Sequence, residues 1–220
     1  MVLFNKKRIL FFCAAFLFCN LNVLLFADEK NSFSFVDTIC QGLAENQNTT
    51  GTFTQTKVIS QSGRKLKSTG TFIISSYGIM WKTEKPFANT LIITENKMIQ
   101  TTASGNKSIL DGSENQIFKS ISSVLQSIFM GNTQKLYENF EISVKNERAE
   151  NWVIELVPED ANINSVMKTF TLSGEIQNNR TVLNSLEILE QSDNIIKYEF
   201  SNHQYPQDLT ENEKNSFTDN

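Results

Sequence analysis

Between Gly51 and Gln100 apolar and polar residues follow a period of two, the repeat that sends successive side chains to opposite faces of a strand. In residues 51–57, Phe53, Gln55 and Lys57 alternate with Thr52, Thr54 and Thr56. Gln61, Ser62 and Gly63 supply turn chemistry and residues 64–75 return, which predicts a hairpin with Gly70 marking a bend or bulge in its second arm. Tyr77 and Gly78 turn the chain into a strand at Ile79, Met80 and Trp81 that ends before Pro86; residues 89–94 and 98–100 then predict a further hairpin.

Either side of this block the period changes to that of a helix. Phe33, Val36, Ile39, Cys40 and Leu43 share one face of an amphipathic helix over 32–46, capped by Ser32. After a short strand at 107–111, Ile117, Ile121, Val124, Leu125, Ile128 and Phe129 share a second helical face, which Gly131 stops. A helical turn at 133–138 follows. Alternation then resumes in five strands: Phe140, Ile142 and Val144; Trp152, Ile154 and Leu156; 166–172; 182–189; and 195–200. Residues 158–164 read as a loop, and the polar end from Tyr205 reads as a fraying tail.

About ten or eleven strands in sequence make a sheet too long to stay flat, so the fold predicted is α+β and mainly β: a strongly curved antiparallel sheet, an unclosed barrel, covered by helices. Helices against its concave side leave room for an apolar cavity. The residues alone leave two readings open, in which Phe53, Phe72, Ile79 and Trp81 line such a cavity or form ordinary core. The segment ending at Phe129 is likewise either a cover that lifts or a fixed core helix.

Composition then narrows the setting. The first 27 residues carry Lys6, Lys7 and Arg8, an apolar run from Ile9 to Phe26, and Ala27, which predicts a secretory signal peptide cleaved after Ala27. An uncleaved membrane anchor is the alternative, weakened as a span by Asn20 and Asn22. Loss of that leader leaves 17 lysines and arginines against 24 acids, a formal charge of −7, with no basic patch for nucleic acid. Cys13 and Cys19 go with the leader, and neither follows the small residue a lipid-attached cysteine needs. Cys40 remains, a single thiol on an apolar helix face, read as a small buried apolar residue.

The ordered set Phe53-x-Gln55, Gly70-x-Phe72, Trp81 five residues before Pro86, and Thr94-Glu-Asn-Lys97 resembles the LolA-type lipoprotein carriers of the periplasm. The likeness continues through the helix ending at Gly131, Trp152 to Pro158, and Ser192-Asp193 before Ile196 to Phe200, and covers about residues 33–202. It implies an unclosed barrel with a helical lid over residues 28–204, flanked by the leader at 1–27 and the tail at 205–220. It also implies a periplasmic monomer that takes acyl chains of lipoproteins, or another envelope lipid, from an inner-membrane exporter complex to an outer-membrane acceptor. Phe53, Phe72, Ile74, Ile79, Trp81, Leu91 and Ile93 would form the sheet wall of the cavity, and Ile121, Leu125, Ile128 and Phe129 the lid. The chain departs from that family at Ser75-Ser76-Tyr77-Gly78, where the carriers have an arginine that holds the lid shut; it resembles a divergent branch, whose cargo is open between lipoprotein and glycolipid.

Enzyme readings fail on inventory, and no cofactor or metal is expected. His203 is the only histidine, expected at the surface, and no cysteine or acid cluster accompanies it at a metal-ligand spacing. Neither a Gly-x-Ser-x-Gly elbow nor a phosphate loop occurs. Asp111 and Glu114 flank a helix start, where acids suit the dipole, and are read as structural. A carrier or sensor of a glycolipid or other envelope lipid and an envelope scaffold with a filled core are the non-enzymatic alternatives.

Overall fold

The computed structural model describes residues 35–94, 97–111, 125 and 127–218. The leader, the Ser32 cap, Phe33, Glu114, Ile117, Ile121 and Val124 lie outside the described residues. From Val36 onward the chain forms one compact unit.

The chain enters as a helix over residues 35–44, α1. Its predicted stripe is real: Val36, Ile39, Cys40 and Leu43 are all buried. The first hairpin follows, β1 (Asn48–Ile59) and β2 (Arg64–Ser75), in register from Asn48 opposite Ser75 to Ile59 opposite Arg64. Both arms run longer than the alternation alone marks. The bend expected at Gly70 is a register shift between Thr69 and Gly70 against β3, where a Cβ would lie 2.0 Å from the Lys82 carbonyl oxygen.

β3 (Gly78–Lys85), β4 (Asn89–Ile93), β5 (Lys97–Thr102) and β6 (Lys107–Asp111) extend the meander. The described chain resumes with helical residues 125 and 127–129, then α2 (Gln134–Asn139). β7 (Phe140–Arg148) and β8 (Asn151–Pro158) form a hairpin. The stretch read as a loop after Pro158 holds a short helix, α3 (Ala161–Asn164), because Asp160 caps it by accepting from the amides of Asn162 and Ile163, both at 3.0 Å. β9 (Met167–Gln177), β10 (Arg180–Glu190) and β11 (Ile195–Gln204) complete the strands.

All eleven make one antiparallel sheet in the order β6-β5-β4-β3-β2-β1-β11-β10-β9-β8-β7. Every neighbour is a sequence neighbour except β1 with β11, where Phe53 faces Phe200. That pairing joins two meanders, and the sheet stays open between β6 and β7, as the predicted unclosed barrel requires.

The expectation of a fraying tail is corrected. Beyond Tyr205 the chain crosses to the outer face, the side of the sheet opposite α1, and ends in α4 (Glu211–Thr218). Leu209 and Phe217 cluster there with Ile73, Met80, Ile92 and Ile99. These four sheet residues are successive cross-strand partners on β2, β3, β4 and β5. The row is buried together with Leu209 and Phe217, which holds the tail down. The helix has its own start signal: Thr210 Oγ1 accepts from the Glu213 amide at 3.3 Å, and Glu213 Oε2 accepts from the Thr210 amide at 2.8 Å, a capping box.

Candidate functional site

Strand alternation decides which side chains can meet. On the inner face, the side that α1 covers, Ile74, Ile79 and Ile93 are directly opposite one another across β2, β3 and β4. Two residues along the strands lies a second row, Phe72, Trp81 and Leu91. Phe53 faces Gly70 on one side and Phe200 on the other. The seven residues assigned to a sheet wall therefore share one face, because the register is the in-phase one. Six are buried and Leu91 is half-buried.

The same face continues beyond β1. Tyr198, Leu186, Leu172 and Ile154 form one row across β11, β10, β9 and β8, and Ile188, Phe170 and Leu156 the next. Sequence reasoning recognised these strands but did not add them to the site. Tyr198 is the residue it most missed: its ring lies 5.9 Å from Phe53, 6.0 Å from Trp81 and 6.3 Å from Phe200, and Phe200 in turn sits 5.0 Å from Phe72. The signal was present in the alternation Ile196, Tyr198, Phe200. What linked it to Trp81 was the β1 with β11 pairing, which no local pattern encodes. Burial pushes the Tyr198 phenol up to about 12, so it stays neutral at any physiological pH.

Over this face lie α1 and the segment ending at Phe129. Leu125, Ile128 and Phe129, assigned to the lid, are buried; Ile121 lies outside the described residues. A cavity of about 20 Å³ remains where Leu43 and Phe129 meet Phe72, Ile74 and Phe200. Another of about 10 Å³ remains where Val36, Ile39 and Ile128 meet Trp152, Ile154 and Leu172. The first holds about one water and neither holds a hydrocarbon chain. Among the described residues, the expected empty apolar space between these helical segments and the sheet is filled at these contacts by the protein's own side chains.

Among the described residues the cover meets the sheet largely through apolar side chains, and a polar clasp joins its helical segments. Asp37 on α1 accepts from Thr133 Oγ1 at 2.5 Å and from Tyr137 Oη at 2.8 Å, joining α1 to α2. Cys40, one turn along, is sealed under it; burial first, then the nearby Asp37 charge, pushes its thiol up to about 12. The sulfur is an inert filler there, as its apolar helix face implied.

The turn lacking the expected arginine is closed locally, with Ser75 Oγ accepting from the Tyr77 amide at 3.2 Å. Its Tyr77 ring stacks on Phe217 of α4, 6.2 Å away, so this turn engages the outer-face helix. His203 is also not where it was expected. It is half-buried, its ring 5.7 Å edge-on to Phe72, and its Nε2 lies 3.0 Å from the Leu183 carbonyl. Burial lowers its pKa against the opposing effects of that carbonyl and Glu175, so the ring is held neutral and donates to Leu183.

Among the described residues, three buried polar atoms on the inner face have no hydrogen-bond partner: Trp81 Nε1, Asn89 Oδ1 and Trp152 Nε1. Among the described residues no group of three histidines, cysteines or acids is placed to hold a metal ion.

A family described as "Outer membrane lipoprotein carrier protein LolA" matches residues 45–215. Among curated proteins none matches the sequence. A DUF1329 family protein from Desulfovibrio piger superposes with a TM-score of 0.50 at 8% identity, over 81% of this chain and 95% of that one. A putative outer membrane lipoprotein-sorting protein domain from Vibrio parahaemolyticus gives 0.45 at 10% identity, over 82% and 96%. The lipoprotein LppX of Mycobacterium tuberculosis gives 0.43 at 11%, over 80% and 98%. The first likeness is one of fold alone.

Proposed function

The chain belongs to the LolA family of outer membrane lipoprotein carrier proteins, and from that premise we propose that it carries acyl chains between the inner face of its sheet and the covering helices. The cargo is a lipoprotein, taken from an exporter complex in the inner membrane and handed to an acceptor in the outer membrane. The protein acts in the periplasm after losing residues 1–27, as a monomer and without catalysis. Among the described residues no helix is long and apolar enough to cross a membrane.

One observation carries this reading: an inner face apolar from Ile93 on β4 to Leu156 on β8, covered by side chains with no backbone pairing. An acyl chain has on the order of fifteen methylenes, each worth about 0.8 kcal/mol when buried, so about 12 kcal/mol opposes its passage through water. A permanently open cavity would recover all of that and release nothing. Here the acyl chain replaces Leu43, Ile128 and Phe129 on the sheet, exchanging one apolar contact for another. The net grip is the small difference between the two, and transfer can run down a gradient of affinity with no other energy source.

The filled interior equally favours a second reading, an envelope scaffold with no cargo. Displacement of a fluorescent fatty-acyl probe, followed by tryptophan emission, separates the two. The carrier reading expects saturable binding, and expects Leu125→Glu to abolish it while far-UV circular dichroism is retained. A wild-type protein that binds no acyl probe leaves only the scaffold.

A further inference from the structure

Two of the unpartnered atoms on the inner face are neighbours of opposite kind. Trp81 Nε1 can only donate a hydrogen bond, and Asn89 Oδ1 can only accept one. Trp81 pairs with Leu91 and Asn89 pairs with Thr83, so the two residues are diagonal neighbours on adjacent strands with side chains on the same face. Trp81 is 9% exposed, and Asn89 is half-buried at the end of β4 nearest Pro86. Buried polar atoms are almost always paired, so an unpaired donor beside an unpaired acceptor calls for an explanation. Trp152 Nε1 is different: it is sealed at 0% exposure beneath α1, with no unpaired acceptor on an adjacent position, and serves as packing.

We propose that Trp81 and Asn89 form a two-point anchor for a secondary amide, the linkage that joins an acyl chain to nitrogen. The inference rests on the carrier reading and names the chemistry its site selects. A trans amide presents its carbonyl and its N–H on opposite edges, so it can accept from the indole and donate to the carboxamide at once while bridging them. An ester of the same length accepts from Trp81 and leaves Asn89 Oδ1 unpaired. With the amide held at the half-buried Asn89, the hydrocarbon extends over Leu91 and Phe72 beneath the cover. The same linkage occurs on an acylated peptide terminus and on an acylated amino sugar.

The test measures displacement of the acyl probe by N-dodecanoylethanolamine and by its ester isostere, 2-hydroxyethyl dodecanoate. Wild type should favour the amide by about tenfold, the scale of one hydrogen bond left unmade. Asn89→Leu should weaken the amide alone and erase the preference; Trp81→Phe should weaken both compounds. Equal affinities in the wild type overturn the anchor, whereas failure of every acyl compound to bind overturns the carrier reading itself. A double-mutant cycle on the urea midpoint of the unliganded protein should be additive; coupling between Trp81 and Asn89 would show that they bond each other and overturn the anchor. An N-palmitoyl tripeptide and N-palmitoylglucosamine, each against its O-acyl isomer, then give the source. Preference for the amide in either pair supports the anchor, and preference in neither overturns it.

Discussion

Replacing Phe217 by Ala separates a docked C-terminal segment from a frayed one. Phe217 is 7% exposed and is the one buried residue of α4. It packs with Leu209, Ile73, Met80, Ile92 and Ile99 and stacks on Tyr77. Burial of a phenylalanine side chain is worth about 1.5–3 kcal/mol and an aromatic pair about 0.5–1.5 kcal/mol more. A buried Phe→Ala change costs up to about 5 kcal/mol where the chain cannot yield. Here it can yield: an eight-residue helix has no stability alone, so the segment undocks and the loss stops at its docking energy. We expect about 2–3 kcal/mol. With a urea m-value of about 2 kcal/mol/M, the midpoint should fall by about 1 M. Undocking also bares the outer-face row, so the variant should bind an apolar dye and lose hydrogen-exchange protection over 211–218. Asn215→Ala, exposed on the same helix, is the control and should shift nothing. An unmoved midpoint and no dye binding in Phe217→Ala would refute the docking argument and restore the frayed tail.

Gly174 lies under the Trp152 indole, where a Cβ would come within 1.9 Å of the Val182 carbonyl oxygen and 2.4 Å of Trp152 Cζ2. Because the first obstacle is backbone, Gly174→Ala should cost at least about 3 kcal/mol and red-shift tryptophan emission; a stable variant with wild-type emission would disprove the contact. His203 predicts the pH dependence. Its folded pKa lies below the ordinary 6.5, so the unfolded chain binds the proton more readily and the contribution to stability is complete above about pH 6.5. It should be lost as the pH falls from there through the folded pKa, seen as a lower urea midpoint at pH 5.5 than at pH 7.5. In His203→Gln that difference should shrink, and a wild type with equal midpoints would contradict the assignment.

The strands and their order along the chain were legible because the two-residue period is a local property of extended backbone. At Phe72-Ile73-Ile74 and Ile79-Met80-Trp81 both faces are apolar, so the period could not choose between them, and Phe72, Ile74, Ile79 and Trp81 came to one face through the register of β2 with β3. Family membership was legible for a related reason, since the resemblance rests on spacings within hairpins. Less was made of Phe72-Ile73-Ile74 and Ile92-Ile93, where alternation fails. Unbroken apolar runs of this kind mark strands wet on neither face. Together with the box from Thr210 to Glu213, they were the available signal that something covers the outer face.

What the sequence determined by itself is thus a row of amphipathic strands, two helical stripes and the carrier family they belong to. The tertiary structure alone decided that β1 takes β11 as its partner, bringing Tyr198 to Trp81 from more than a hundred residues away. It also decided that Leu43 and Phe129 pack on the inner face, that Phe217 packs on the outer one, and that Trp81 Nε1 and Asn89 Oδ1 are left without hydrogen-bond partners. The physical reason is one of range. Periodicity reports which way a side chain points, but what stands opposite it is supplied by distant segments whose placement only the closed chain specifies.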